Sequence, residues 1–223
     1  MLPKLVILLF LLDVSTANAG AWLREKGSGF SSVTASSNLF RDISQTTYLE
    51  YGVRDDLTLG AEVAFFTSAA GVQSGSAKIF LRRPFGKRDR PSVWSYELGM
   101  GADWSSDGVR PDLQAALSWG RGYQLKHLNG WIAVDGSILL GVYDANHTVK
   151  IDSTIGLNFN ERFAGMIQVF HSEMVNSNAT SIAPSILVRP IKRRPDIRLQ
   201  IGGETQIGNA GNSLLKLSIW REF

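Results

Sequence analysis

The chain contains no cysteine, which excludes disulfide staples and thiolate metal sites from whatever it folds into. Beyond the first dozen residues no run approaches the eighteen apolar residues that a membrane helix needs, so helical spanning is excluded there. Histidine is scarce, three in 223 residues, and His127 and His147 stand alone in expected turns. A histidine-based metal centre is therefore not expected, and no residue pattern calls for a cofactor. The chain also lacks a strong charge of one sign: its formal net charge is +3. Basic and aromatic residues do not interleave on a common exposed face, which argues against a nucleic-acid partner.

What is present begins with a leader. Lys4 precedes an unbroken apolar run over residues 5–12, and the segment closes on Ala17, Asn18 and Ala19, a small-residue cleavage site. Eight apolar residues span about 12 Å as a helix, less than half of a ~30 Å hydrocarbon layer. Residues 1–19 therefore read as a signal peptide that is cleaved, leaving one domain over residues 20–223.

From residue 45 onward the apolar pattern has period two. Around Arg54, Asp55 and Asp56 it reads as a hairpin, with Leu49, Tyr51 and Val53 on one arm and Leu57, Leu59, Ala61, Val63 and Phe65 on the other. The same alternation recurs with Ile79 and Leu81, with Trp94 to Met100, and with Leu113 to Trp119. It continues with Ile132 to Leu140, Val149 to Phe159, and three closing segments at 181–189, 197–205 and 213–223. With a first strand near 27–36 the count is twelve. The expected fold is all-β: a closed, antiparallel, up-and-down transmembrane β-barrel with short periplasmic turns. A soluble sandwich would also alternate. Its strands, however, cluster near five or six residues, whereas many segments here run to the nine to eleven that a tilted strand needs to cross hydrocarbon. Tyr51, Phe65, Trp94, Trp119, Phe159 and Phe163 fall near strand ends, as interfacial aromatic girdles do. An even strand count puts both termini on one side, the periplasm.

These residues resemble a family, the porin-like outer-membrane β-barrels of Gram-negative bacteria, over essentially all of residues 20–223. The most specific element is the end, where Leu215, Leu217, Ile219 and the terminal Phe223 alternate with Lys216, Ser218, Trp220 and Glu222. The resemblance implies that Leu217, Ile219 and Phe223 form an assembly signal read by the barrel-assembly machinery. Arg221 stands where the family usually has an apolar residue. The implied location is the bacterial outer membrane, with its lipids as partner, and the implied function is a narrow channel for a small solute or ions. A non-conducting structural barrel and a lipid-modifying enzyme are the alternatives.

The alternation also yields a lumen inventory. Glu50, Glu62, Glu97, Asp135, Asp152 and Glu204 stand against Lys78, Arg82, Lys150, Arg198 and Lys216, a near balance that favours internal ion pairs over a one-signed constriction. Tyr48, Trp131 and Trp220 also point inward and narrow the passage. The sequence of His171, Ser172 and Glu173 offers catalytic residue types, but adjacent strand residues point to opposite faces, so no catalytic site is assigned. Outer loops are expected at 38–44, 67–76, 104–111, 141–147, 173–180 and 206–212. Arg82, Arg83, Lys87, Arg88 and Arg90, with Lys192, Arg193 and Arg194, read as basic periplasmic turns facing anionic lipid heads.

Overall fold

A computed structural model describes residues 20–86, 91–143, 147–175 and 177–223. The leader at 1–19 and the turn residues Lys87, Arg88 and Arg90 lie outside the described residues.

Among the described residues twelve strands follow one another without a helix between them. They are β1 (Gly29–Asn38), β2 (Ile43–Arg54), β3 (Leu57–Thr67), β4 (Gln73–Pro84), β5 (Ser92–Ser105) and β6 (Gly108–Leu125), then β7 (Leu128–Gly141), β8 (His147–Asn158), β9 (Phe163–Met174), β10 (Ser177–Val188), β11 (Ile197–Gln206) and β12 (Asn209–Glu222). Each pairs antiparallel with its sequence neighbours, and β1 pairs with β12 to close the barrel. Closure leaves no strand edge to carry unpaired backbone groups into lipid. The seam is finished by reciprocal bonds: the Gly29 amide donates to the Phe223 carbonyl at 2.6 Å, and the Phe223 amide donates to the Gly29 carbonyl at 3.0 Å. A Cβ on Gly29 would push the Phe223 ring aside.

The wall turns the usual rule of burial inside out. On the exterior Leu98 is 60% exposed, Ile79 55% and Leu217 51%, while inward-facing Phe30 and Phe80 are each 2% exposed. A soluble sandwich would bury its oily face, so the exposed apolar belt decides between the two architectures. Tyr51, Trp94, Phe159 and Phe163 lie exposed at the end that carries the termini, and the Trp94 ring is tilted against Trp119 with centroids 6.4 Å apart. Phe65 meets Trp104 at the other end, 5.8 Å between centroids.

The strands run further than the alternation suggested, because cross-strand pairing continues past the apolar belt into the polar rim. The β5–β6 turn is closed by Ser105 opposite Gly108, and the β11–β12 turn by Gln206 opposite Asn209. The expected outer loops at 104–111 and 206–212 are thus two-residue turns, and 173–180 is mostly strand. Arg82, assigned from sequence both to the lumen and to a basic turn, belongs to the lumen alone at 4% exposure. At the periplasmic rim Arg83 bonds Asp56 and Arg194 bonds Asp196, and these hydrogen bonds hold both carboxyls below their ordinary range.

Facing predicts a graded response in β12. Leu217→Arg puts a charge on the lipid face, at a cost of ~2 to 4 kcal/mol near mid-membrane. Lys216→Leu, facing the lumen, is expected to be milder. The heat-modifiable fraction in detergent gels checks this, and equal tolerance of the two would contradict the assigned faces.

Candidate functional site

The charged centre of the lumen follows from register. Glu50 on β2 faces inward beside Phe30 of β1, and Arg82 on β4 sits opposite Thr58 of β3 and Glu97 of β5. Period two sends all of them to the inside, so Arg82 bridges the two carboxylates. Its guanidinium bonds Glu50, and its Nη2 donates to Glu97 Oε2 at 2.8 Å. Tyr48 Oη donates to Glu50 at 2.5 Å, and Gln114 Nε2 to Glu97 Oε1 at 3.3 Å. Phe80 lies under the Arg82 guanidinium, 5.1 Å from centroid to Cζ. Glu50, Arg82 and Glu97 are all buried, so each charge depends on its partners to offset lost hydration.

The second arginine of this cluster comes from outside the wall. Residues 20–28 precede β1 and fold into the barrel instead of lying beneath it. Arg24 Nε donates to Glu50 Oε2 at 2.6 Å, its backbone amide donates to Thr58 Oγ1 at 3.0 Å, and its guanidinium covers Phe30 at 4.7 Å. Ser95 Oγ donates to the Gly20 carbonyl at 2.6 Å. The inward faces of β2 and β6 make room with glycine: a Cβ on Gly52 would strike the Glu25 carbonyl, and one on Gly120 would strike the Trp22 ring and Ala21 Cβ. Ala21 is 1% exposed. Trp22 and Trp220 pack on a buried cluster of Trp131, Ala164, Met166 and Leu187.

This layer separates two cavities that share no lining residue. The outer one, 910 Å³, is lined by Glu50, Glu62, Lys78, Arg82, Glu97, Asp135, Lys150, Asp152, Glu204 and Lys216, as the alternation placed them. It is also lined by Asp103 and Asp112, which the sequence reading left near a loop because the strands were read too short. The inner one, 1050 Å³, opens among the periplasmic turns and takes Arg198 with Arg162, Arg189 and Lys192. The charges of the lumen are divided unevenly between the two cavities. Among the described residues the Arg24–Glu50–Arg82–Glu97 cluster is neutral by itself. Above it six carboxylates (Glu62, Asp103, Asp112, Asp135, Asp152 and Glu204) face three lysines (Lys78, Lys150 and Lys216). Lys216 reaches Glu204 at 3.0 Å and Lys78 reaches Glu62 at 3.7 Å.

The residues considered for catalysis do not converge. Ser172 lines the outer cavity, whereas His171 lies on the opposite face of β9 with its Nδ1 2.8 Å from Thr180 Oγ1.

Among solved structures the chain resembles the NanC porin at 15% identity, covering 85% of this chain and 97% of that one with a TM-score of 0.60. The KdgM porin matches at 9% identity, 87% and 99% coverage and a TM-score of 0.59. The COG4313 outer membrane channel from Pseudomonas putida F1 matches at 12% identity, 93% and 100% coverage and a TM-score of 0.58. All share the closed barrel. The chain has the fold of these outer-membrane β-barrels. No protein-family model and no curated protein matches it in sequence, so the fold alone links this barrel to those channels.

The buried cluster of the barrel predicts an asymmetry among its cations. Arg82→Met takes the cation from Glu97 and leaves Glu50 to Arg24 and Tyr48, and is expected to cost about 3 to 5 kcal/mol. Lys78→Met, at a partly exposed pair, is expected to cost less than about 1 kcal/mol. Denaturant unfolding in detergent measures both, and similar losses would contradict the cluster's role.

Proposed function

We propose that the barrel is a narrow channel for ions or small solutes with a preference for cations, closed at its inner third by residues 20–27. One observation carries the reading: the outer cavity holds twice as many carboxylates as lysines above a neutral gate. An excess of one sign along a low-dielectric passage raises the local concentration of the opposite ion. The KdgM porin has been solved in complex with disordered oligogalacturonate, a polyanion. The carboxylate excess here disfavours such a ligand and points to cations or neutral solutes. Twelve strands suit a narrow passage, between the side-chain-filled interior of eight and the wide channel of sixteen.

The inserted segment favours a second reading in the same experiment, a barrel that does not conduct because its lumen is filled. Biogenesis belongs to the proposal as well. The alternating end Leu217, Ile219 and Phe223 suits recognition by the barrel-assembly machinery, and the exposed apolar belt suits outer-membrane lipid.

Planar bilayers with a KCl gradient test the channel. Deleting residues 20–26 is expected to raise the open probability, and the reversal potential is expected to show K⁺ preferred over Cl⁻. Asp112→Asn combined with Asp152→Asn is expected to bring the permeability ratio several-fold closer to one, since both carboxylates face the outer cavity. Anion preference would overturn the charge reading. Silence of both the full mature chain and the deletion would establish the non-conducting barrel instead.

A further inference from the structure

The deepest point of the inserted segment is Gly20, the residue that follows Ala17, Asn18 and Ala19. It lies in the lumen against side chains of four strands. Ser95 of β5 holds its carbonyl. A Cβ built on its α-carbon would stand 2.6 Å from Asp135 Oδ1, 2.7 Å from Ser118 Oγ and 3.5 Å from Arg82 Nη2. Asp135 Oδ1 is itself buried and has no hydrogen-bond partner among the described residues. Its cross-strand partner on β8 is Asp152, a second carboxylate facing the same space. Around Gly20 the buried Arg82 and the partly buried Arg24 stand against the buried Glu50 and Glu97 and the partly buried Asp135. Among these five groups one cation is lacking, and leaving the buried Oδ1 of Asp135 without a donor is costly.

We propose that removal of the leader before Gly20 supplies this cation: the new α-ammonium of Gly20 is the ligand of Asp135 and Ser118, and processing thereby locks residues 20–27 in the lumen. The step is a hydrolysis by the envelope peptidase that removes leaders. Water adds across the Ala19–Gly20 amide, its oxygen going to the Ala19 carbonyl to leave a carboxylate. The C–N bond breaks, and the nitrogen takes up protons to become the ammonium that an α-amino group carries near neutral pH. An uncleaved chain offers only a neutral amide at the same point, which donates one hydrogen bond and balances no charge. The lock depends on where residues 20–27 lie and not on whether the lumen conducts. Gly20 also suits the role sterically, since a side chain there would make Asp135 and Ser118 shift.

The mature protein, purified from outer membranes, tests this directly. Its N-terminal peptide is followed by mass spectrometry after treatment at pH 7 with an amine-reactive ester. The mature chain is expected to begin at Gly20. Its α-amine is expected to be labelled at least about tenfold more slowly in the folded barrel than in the heat-unfolded chain, as expected of a group that reacts only through local opening. Asp135→Asn is expected to bring the folded rate towards the unfolded one, with Ser118→Ala intermediate. A mature terminus at another residue, equal labelling of folded and unfolded wild type, or protection unchanged in Asp135→Asn would each overturn the lock. If Asp135→Asn does not fold, the wild-type comparison and Ser118→Ala decide. A protein that stays silent in bilayers but protects its α-amine would end the channel reading and leave the lock standing.

Discussion

Everything in this structure depends on one constraint, that no backbone amide or carbonyl can be left unpaired in hydrocarbon. The β1–β12 ladder satisfies it by turning a sheet into a closed wall, and the reciprocal Gly29–Phe223 bonds carry the pairing to the last residue of the chain. Once the wall is closed, the strand period of two leaves each side chain only two environments. Lipid accepts Leu98 and Leu217, and the lumen accepts Glu50 and Arg82. The exposed apolar exterior and the buried charged interior are one consequence of closure, seen from two sides.

The interior then faces a problem of its own, because a twelve-stranded lumen is too wide for its wall to fill and too narrow for its charges to be fully hydrated. This barrel solves it asymmetrically. The outer half stays open and carboxylate-rich. Between it and the inner cavity the lumen is packed by aromatic side chains and by residues 20–28, whose Arg24 completes the pairing of Glu50. The outer connections at 106–107 and 207–208 are two-residue turns, while residues 20–28 enter the lumen. The cost of burying its backbone is offset by specific acceptors and donors, Thr58 for the Arg24 amide and Ser95 for the Gly20 carbonyl.

The wall was legible in the sequence because lipid and lumen impose opposite chemistry on alternate residues, and that alternation survives even where single strands are irregular. Strand ends were less legible. Pairing outlasts the apolar belt, so Asp103 and Asp112, on either side of the expected loop at 104–111, are lumen residues that add to the carboxylates of the outer cavity. The inserted segment left no period at all, being too short and irregular to repeat. Its only sequence signals are indirect: Gly52 and Gly120 on inward faces, where a side chain would otherwise fill the lumen, and an arginine and a tryptophan just after the expected cleavage site. The lumen residues Glu50 and Arg82 were identified, but what joins them to Arg24 is a contact between the wall and a segment with no regular structure, and no pattern of spacing encodes it.

The central claim, that residues 20–28 occupy the lumen and divide it, can be tested in a chain whose lack of cysteine makes the experiment clean. A Cβ on Gly120 would stand 2.7 Å from that of Ala21, so a disulfide there requires residues 21 and 22 to draw back from the wall by about 1 Å, to the ~3.8 Å between Cβ atoms that the bond spans. The Ala21→Cys, Gly120→Cys double variant, assembled in outer membranes and treated with a mild oxidant, should form the intramolecular bond nearly completely in the folded, heat-modifiable species. Two free thiols in that species, both open to a water-soluble maleimide, would mean that the segment hangs below the barrel and that the lumen is undivided.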